Sequence, residues 1–225
     1  MTLPPVHLVR QFDTHRLVPS RHLPRGDSVL ANLVADADLQ AIFELDAATN
    51  DRLLAEHRLL PGIGVEELVF AVPHAGVINA AFCHSQPLGS RFNGPGRGAW
   101  YAGFELATAQ AEVAFHKSVQ LAEINRFDDT ATYDDYVADF SASFHDLRHA
   151  RVFRGCLNPE SYVESQAVAE ALLDAGSLGA IYPSVRRAGG TCVACFRPAL
   201  VMNVRREKTY RFTWDGKPEP SIARE

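Results

Sequence analysis

Apolar residues along this chain follow two periods. From about 28 to 58 they recur at three and four: Leu30, Leu33 and Val34, then Leu39, Ile42, Phe43 and Leu45, then Leu53 and Leu54. That is a helical stripe, with Asp27 or Ser28 placed to cap a first helix and Asp38 a second. Pro61-Gly62-Ile63-Gly64 ends the series. Two further helices are predicted over 108–124, where Ala109, Val113, Val119 and Ala122 share a face behind a Thr108 cap, and over 161–175, which starts near Ser161 and stops at Gly176. Short β-type runs lie at 67–72, 98–103, 132–140, 179–185, 191–196, 199–204 and 209–214. The first 25 residues, with Pro, His and Arg throughout, read as an irregular arm against the body or a neighbouring subunit. The last ten read as a flexible tail.

These elements predict an α+β fold. Strands separated by so few helices lack the regular βαβ alternation of a doubly wound sheet, so a twisted or split, antiparallel-rich sheet with flanking helices is expected. The organisation is a helical N-terminal extension over 1–62 without a core of its own, a main domain over 63–215 and a tail over 216–225. There is no internal repeat and no low-complexity tract.

Composition narrows the picture. Of the 225 residues, 47% are hydrophobic and 22% charged, as in a soluble globular protein. The net charge of -5 argues against direct nucleic-acid binding. No apolar run is long enough to span a membrane, and the N-terminus has no signal-peptide pattern, so a cytoplasmic location is expected. Cys83, Cys156, Cys192 and Cys195 are too few for a disulfide scaffold. Cys192-Val-Ala-Cys195 has no second pair to complete a zinc site and reads as strand, so the cysteines are structural and no metal is expected.

The candidate chemistry is concentrated in Gly89-Ser90-Arg91-Phe92-Asn93-Gly94-Pro95-Gly96-Arg97-Gly98-Ala99-Trp100-Tyr101, followed by Glu112 on the next helix. Arg91 offers a planar fork suited to phosphate, among glycines that let backbone approach a ligand. Tyr101 offers a ring for stacking, or a core residue with a satisfied hydroxyl. Glu112, among small and apolar neighbours, is a half-buried carboxylate needing a partner or a task, such as gripping a ribose and favouring developing positive charge. Ser184, after Tyr182-Pro183, is either a ligand contact or a turn former; it lies outside any G-x-S-x-G elbow. His74 follows the 67–72 run, and a structural histidine is the plain reading. An anion binder, an aromatic platform and a carboxylate together fit a phosphorylated, aromatic, cationic ligand such as NAD. The absence of G-x-G-x-x-G between strand and helix means that such binding is not of the Rossmann kind.

In combination these motifs resemble the RES-domain family, the toxins of bacterial RES–Xre toxin–antitoxin pairs. Ser90-Arg91-Phe92-Asn93, Trp100-Tyr101-Ala102, Ala109-Gln110-Ala111-Glu112-Val113, Gln166-Ala167 and Pro183-Ser184 carry the resemblance, which covers about 68–205. It implies an ADP-ribosyltransferase-like fold and an enzyme that breaks the nicotinamide–ribose bond of NAD, consumed as substrate without a metal. Arg91 then binds the ribose-phosphate region, Tyr101 stacks on nicotinamide, Glu112 orients the ribose and Ser184 completes the pocket. Many members carry a further arginine at the end of the first core strand. Here His74 takes that place, as the contact to the adenosine ribose. The resemblance also implies an Xre-family helix-turn-helix antitoxin as partner, laid over the Arg91 pocket, and a homodimer within the complex. ADP-ribose transfer to a cellular acceptor, a protein among them, is the favoured reaction, ahead of NAD degradation with water or phosphate. Two other readings stay open: a module that binds a phosphorylated metabolite without turnover, and an interaction protein in which Arg91 and Glu112 form a structural pair.

Overall fold

The computed structural model describes residues 2–20 and 62–225. The helices expected between 28 and 58 lie outside these residues. Seven strands form one mixed sheet in the order β1-β2-β5-β4-β3-β6-β7: β1 (Val6–Pro19), β2 (Trp100–Gly103), β3 (Asp128–Asp146), β4 (Gly179–Pro183), β5 (Thr191–Cys195), β6 (Met202–Asp215) and β7 (Ser221–Arg224). Helices α1 (Ala75–Cys83), α2 (Leu106–Glu123) and α3 (Val163–Asp174) pack around it. The fold is α+β. Among the described residues only the β3–β4 pairing is parallel.

Strand β3 is where the sheet splits. One edge pairs with β1 from Val6↔His145 to Pro19↔Tyr133. The opposite edge holds β6 along 128–139, then β4 through His145↔Ala180 and Asp146↔Ile181. Because β1 also meets β2 at His15↔Gly103, strands β1, β2, β5, β4 and β3 close a circuit, and β6 and β7 run off it as a wing.

Four expectations are corrected here. The first is the arm: residues 6–19 form a long strand of the main sheet, so the body of the fold begins before residue 62. A bulge between Gln11 and Thr14, with Asp13 at φ 55, shifts the register. The inward residues are therefore Val9, Thr14 and Leu17, while Val6, Leu8 and Phe12 face outward. The break in alternation hides the period of two on which strand recognition depends.

The second is the 67–72 run, which is not a strand. Val65–Glu67 is a 3-10 turn, and Ala71 and His74 sit at φ 55 and φ 60, where a strand cannot continue. The backbone of Val69 is satisfied instead by Asn79, whose side chain accepts from its N–H (3.0 Å) and donates to its carbonyl (2.8 Å). The helix α1 that follows went unpredicted. The third is the tail: β7 pairs with β6 from Tyr210↔Arg224 to Thr213↔Ser221 after a turn at Gly216 (φ 69). Its side chains are exposed, so backbone pairing rather than burial holds it. The two runs at 199–204 and 209–214 likewise become a 3-10 turn (Pro198–Leu200) and one continuous strand, β6.

Alternation along the inner strands divides the core. Trp100, Ala102, Ile181, Val193 and Cys195 face one cluster, with Phe82 of α1, Tyr136, Phe140 and Phe144. Ala180, Tyr182, Cys192 and Ala194 face another, with Phe92, Phe153 and Leu172, and Tyr101 packs against it. A third lies under α2, where Leu17, Tyr133, Phe212 and Trp214 meet Ala109 and Leu121. Gly98 lets β2 lie against α1: a Cβ there would stand 2.2 Å from the Ala81 carbonyl oxygen. All four cysteines are buried, and none is in a disulfide among the described residues.

One ion cluster locks the Arg97 turn to the end of β5. Arg97 grips Glu67 with both Nη atoms (2.7 and 2.8 Å) and also donates to the carbonyls of Gly62 and Phe196. Arg197 adds a bond to Glu67 at 2.6 Å. These donors, the Arg97 hydrogen bonds foremost, lower the Glu67 carboxyl from 4.5 to about 2. A depressed folded value makes the contribution complete above pH 4.5 and lost as pH falls toward 2. Acid unfolding followed by circular dichroism should therefore show stability falling through this window, and Glu67→Gln should flatten that fall while lowering stability at neutral pH.

Candidate active site

The glycine-rich run folds into a turn that holds Arg91 in place. Gly89 has φ 72, and a Cβ on it would meet the Asn93 carbonyl oxygen at 2.2 Å. The turn closes with Ser90 N–H donating to that oxygen at 2.8 Å. Phe92, fully buried, anchors it against the Tyr182 ring with centroids 4.7 Å apart. The Tyr101 hydroxyl donates to Asn93 Oδ1 (2.7 Å) and accepts from Phe92 N–H (2.9 Å). Gln166 of α3 donates to the carbonyls of Leu88 and Ser90. Tyr101 and Gln166 thus both staple this turn.

Arg91 is 7% exposed. Its Nη1 donates to the carbonyls of Cys156 and Asn158, both at 2.8 Å, and its guanidinium lies over the Tyr162 ring at 4.8 Å. Nε and Nη2 make no hydrogen bond among the described residues. The arginine thus has one edge tied to the backbone and one edge without a partner among the described residues.

Glu112, half-buried, lies in the second turn of α2. Its Oε1 accepts from Ser184 Oγ at 2.6 Å and faces the Cys192 thiol at 3.7 Å. No arginine pairs with it among the described residues, so an Arg91–Glu112 structural pair is not formed. Ser184, just beyond β4, gives its one proton to Glu112 and accepts from the N–H groups of Arg186 (3.1 Å) and Arg187 (3.0 Å). The serine therefore acts both as a turn former and as a holder of the carboxylate.

Electrostatics show these groups share one centre. Burial pushes the Tyr182 hydroxyl well above the ordinary tyrosine range; Cys192, Glu112 and Tyr101 add to this and Arg91 opposes it. Burial likewise raises Tyr101, which stays a neutral hydroxyl. His116, one turn beyond Glu112, is held below the ordinary histidine value by desolvation, with Glu112 opposing and Arg186 and Arg91 assisting. Arg186 stacks on Phe115 at 3.3 Å and donates to the Pro159 carbonyl at 2.6 Å. Arg187 bonds Thr108 and Glu105.

Arg91, Tyr101, Glu112 and Ser184 come together in this way. His74 does not join them. It sits at the start of α1 with its ring edge-on to Tyr136 at 5.4 Å, and Tyr136 belongs to the cluster on the opposite face of the sheet from Tyr101, Tyr182 and Cys192. Sequence reasoning did not place Tyr182 or Cys192 at the site, reading the cysteine as structural, nor Phe115 or Arg186. Strand alternation was the available signal for the first two, since Tyr182 and Cys192 are cross-strand partners. Among the described residues no group of His, Cys, Asp or Glu could hold a metal, and no helix is long and apolar enough to cross a membrane.

A family model described as RES domain matches residues 68–215. No curated protein matches the chain. Among solved structures, the crystal structure of the M. tuberculosis MbcT-MbcA toxin-antitoxin complex is similar over 90% of this chain and 85% of that one, at 12% identity and a TM-score of 0.46.

Proposed function

The chain belongs to the RES-domain family, and on that premise we propose that it cleaves the nicotinamide–ribose bond of NAD and transfers ADP-ribose to a cellular acceptor, as the toxin of a toxin–antitoxin pair. The observation that carries this is Glu112: Oε1 accepts from Ser184, and Oε2 makes no hydrogen bond among the described residues. In the reaction the C–N bond breaks, its electron pair leaves with nicotinamide, and the ribose carbon becomes oxocarbenium-like. Oε2 accepts a ribose hydroxyl and stabilises that positive charge. The free edge of Arg91 takes a phosphate, and the Tyr101 ring, fixed by its hydroxyl, forms a wall for nicotinamide. The acceptor then attacks the ribose carbon and gives up its proton. His74 has no part in this set. Arg91 and Arg186, whose charges both reach His116 one turn beyond Glu112, favour a second reading in which inorganic phosphate, or water, is the acceptor and NAD is degraded.

The test is to incubate purified toxin, freed of its partner, with NAD in buffer alone, with phosphate and with cell lysate. Nicotinamide release is expected, and the addition that stimulates it most identifies the acceptor. Folded protein that releases none under any of these conditions would favour a binding module. The proposed partner is an Xre-family antitoxin covering the Arg91 pocket; undiminished turnover in the assembled pair would count against that arrangement.

A further inference from the structure

The two oxygens of Glu112 are treated differently. Oε1 receives the Ser184 hydroxyl and faces the Cys192 thiol, while Oε2 is bonded to nothing among the described residues. The last torsion of a glutamate is broad and nearly two-fold, so an unpinned carboxylate exchanges its oxygens freely. Here two donors from adjacent strands approach the same oxygen. Ser184 follows β4. Cys192 lies within β5, opposite Tyr182, and β5 is paired on both edges, to β2 and to β4. The thiol is 3% exposed and therefore as fixed as the sheet. Burial first, and then the Glu112 charge, raise it far above the ordinary cysteine value, so it stays a protonated donor rather than a thiolate. These observations give the C-x-x-C spacing a different meaning: its first cysteine stands at the site and its second, Cys195, in the core on the other face.

We infer that Cys192 is a positioning residue for Glu112: its thiol and the Ser184 hydroxyl together fix Oε1, so that Oε2 alone meets the ribose. This rests on the proposed NAD cleavage for its catalytic meaning. Cys192 itself touches no substrate.

The experiment compares Cys192→Ala and Cys192→Ser with the wild type by steady-state kinetics on NAD and by thermal unfolding. In the alanine variant kcat should fall about tenfold, the effect of one lost hydrogen bond to a charged group, with KM within about twofold. Serine keeps a donor and should recover most of the loss. A cysteine that only fills space would lower Tm in both variants without separating their kcat values. The carbon-13 signal of the Glu112 carboxyl, identified by its disappearance in Glu112→Gln, reads the contact without reference to turnover. It should move in the alanine variant and return in the serine variant. An unmoved signal, or equal kcat in wild type and alanine variant, overturns the inference. A moved and rescued signal in a protein that never releases nicotinamide upholds the contact and instead refutes the NAD reading.

Discussion

Glu112→Gln should abolish nicotinamide release almost completely, by about 10²–10³ in kcat, while the protein folds as before. The amide preserves shape, and its carbonyl can still accept the Ser184 proton in the place of Oε1. What disappears is the negative charge beside the ribose carbon at the moment that carbon becomes positive. A change confined to the transition state lowers kcat and kcat/KM together and leaves NAD binding nearly intact. Stopped-time nicotinamide assays beside thermal unfolding separate the two effects, with Tm expected within about 2 °C because surface and half-buried isosteric changes are small. A module that only binds an anionic ligand predicts the reverse: loss of a carboxylate leaves binding equal or tighter. Full turnover in the variant would remove Glu112 from the chemistry.

Arg91→Ala is expected to act on both stability and substrate affinity. Its Nη1 supports the carbonyls of Cys156 and Asn158, at the end of the 3-10 segment Arg151–Leu157 that leads to α3. Removing a buried donor from two carbonyls costs about 3 kcal/mol. For a chain of this size that is a fall in Tm of about 10 °C. Below that transition, KM for NAD should still rise at least about tenfold, because the free guanidinium edge is gone. Arg91→Lys keeps the charge but lacks the fork, so it should recover part of the affinity and little of the stability. If the alanine variant loses only stability, with KM unchanged at low temperature, Arg91 is structural alone.

Much of the site was legible because it is built from a continuous stretch. The glycines, Arg91, Tyr101 and Glu112 lie within about two dozen residues, and a turn, a short strand and a helix follow from local pattern. Helix α2 and the inner strands β4 and β5 were readable for the same reason: their apolar periods are regular. β1 was not, because its bulge breaks the period, and β7 was not, because an exposed strand held by pairing has no burial pattern to read. The 67–72 run failed in the other direction. Its apolar residues look like a strand, but two left-handed residues and the Asn79 side chain give its backbone another answer.

The sequence by itself determined the family motifs, the α+β class and the order of arginine, aromatic ring and carboxylate, all of which are set by neighbours along the chain. Tertiary structure alone decided which oxygen of Glu112 is held and which is free, since Ser184 and Cys192 lie 72 and 80 residues away and reach it only through the β4–β5 ladder. It also decided that His74 packs on Tyr136, whose cluster lies across the sheet from Tyr101 and Tyr182. Side chains on a strand alternate between faces, and nothing local to residue 74 records which face α1 will cover.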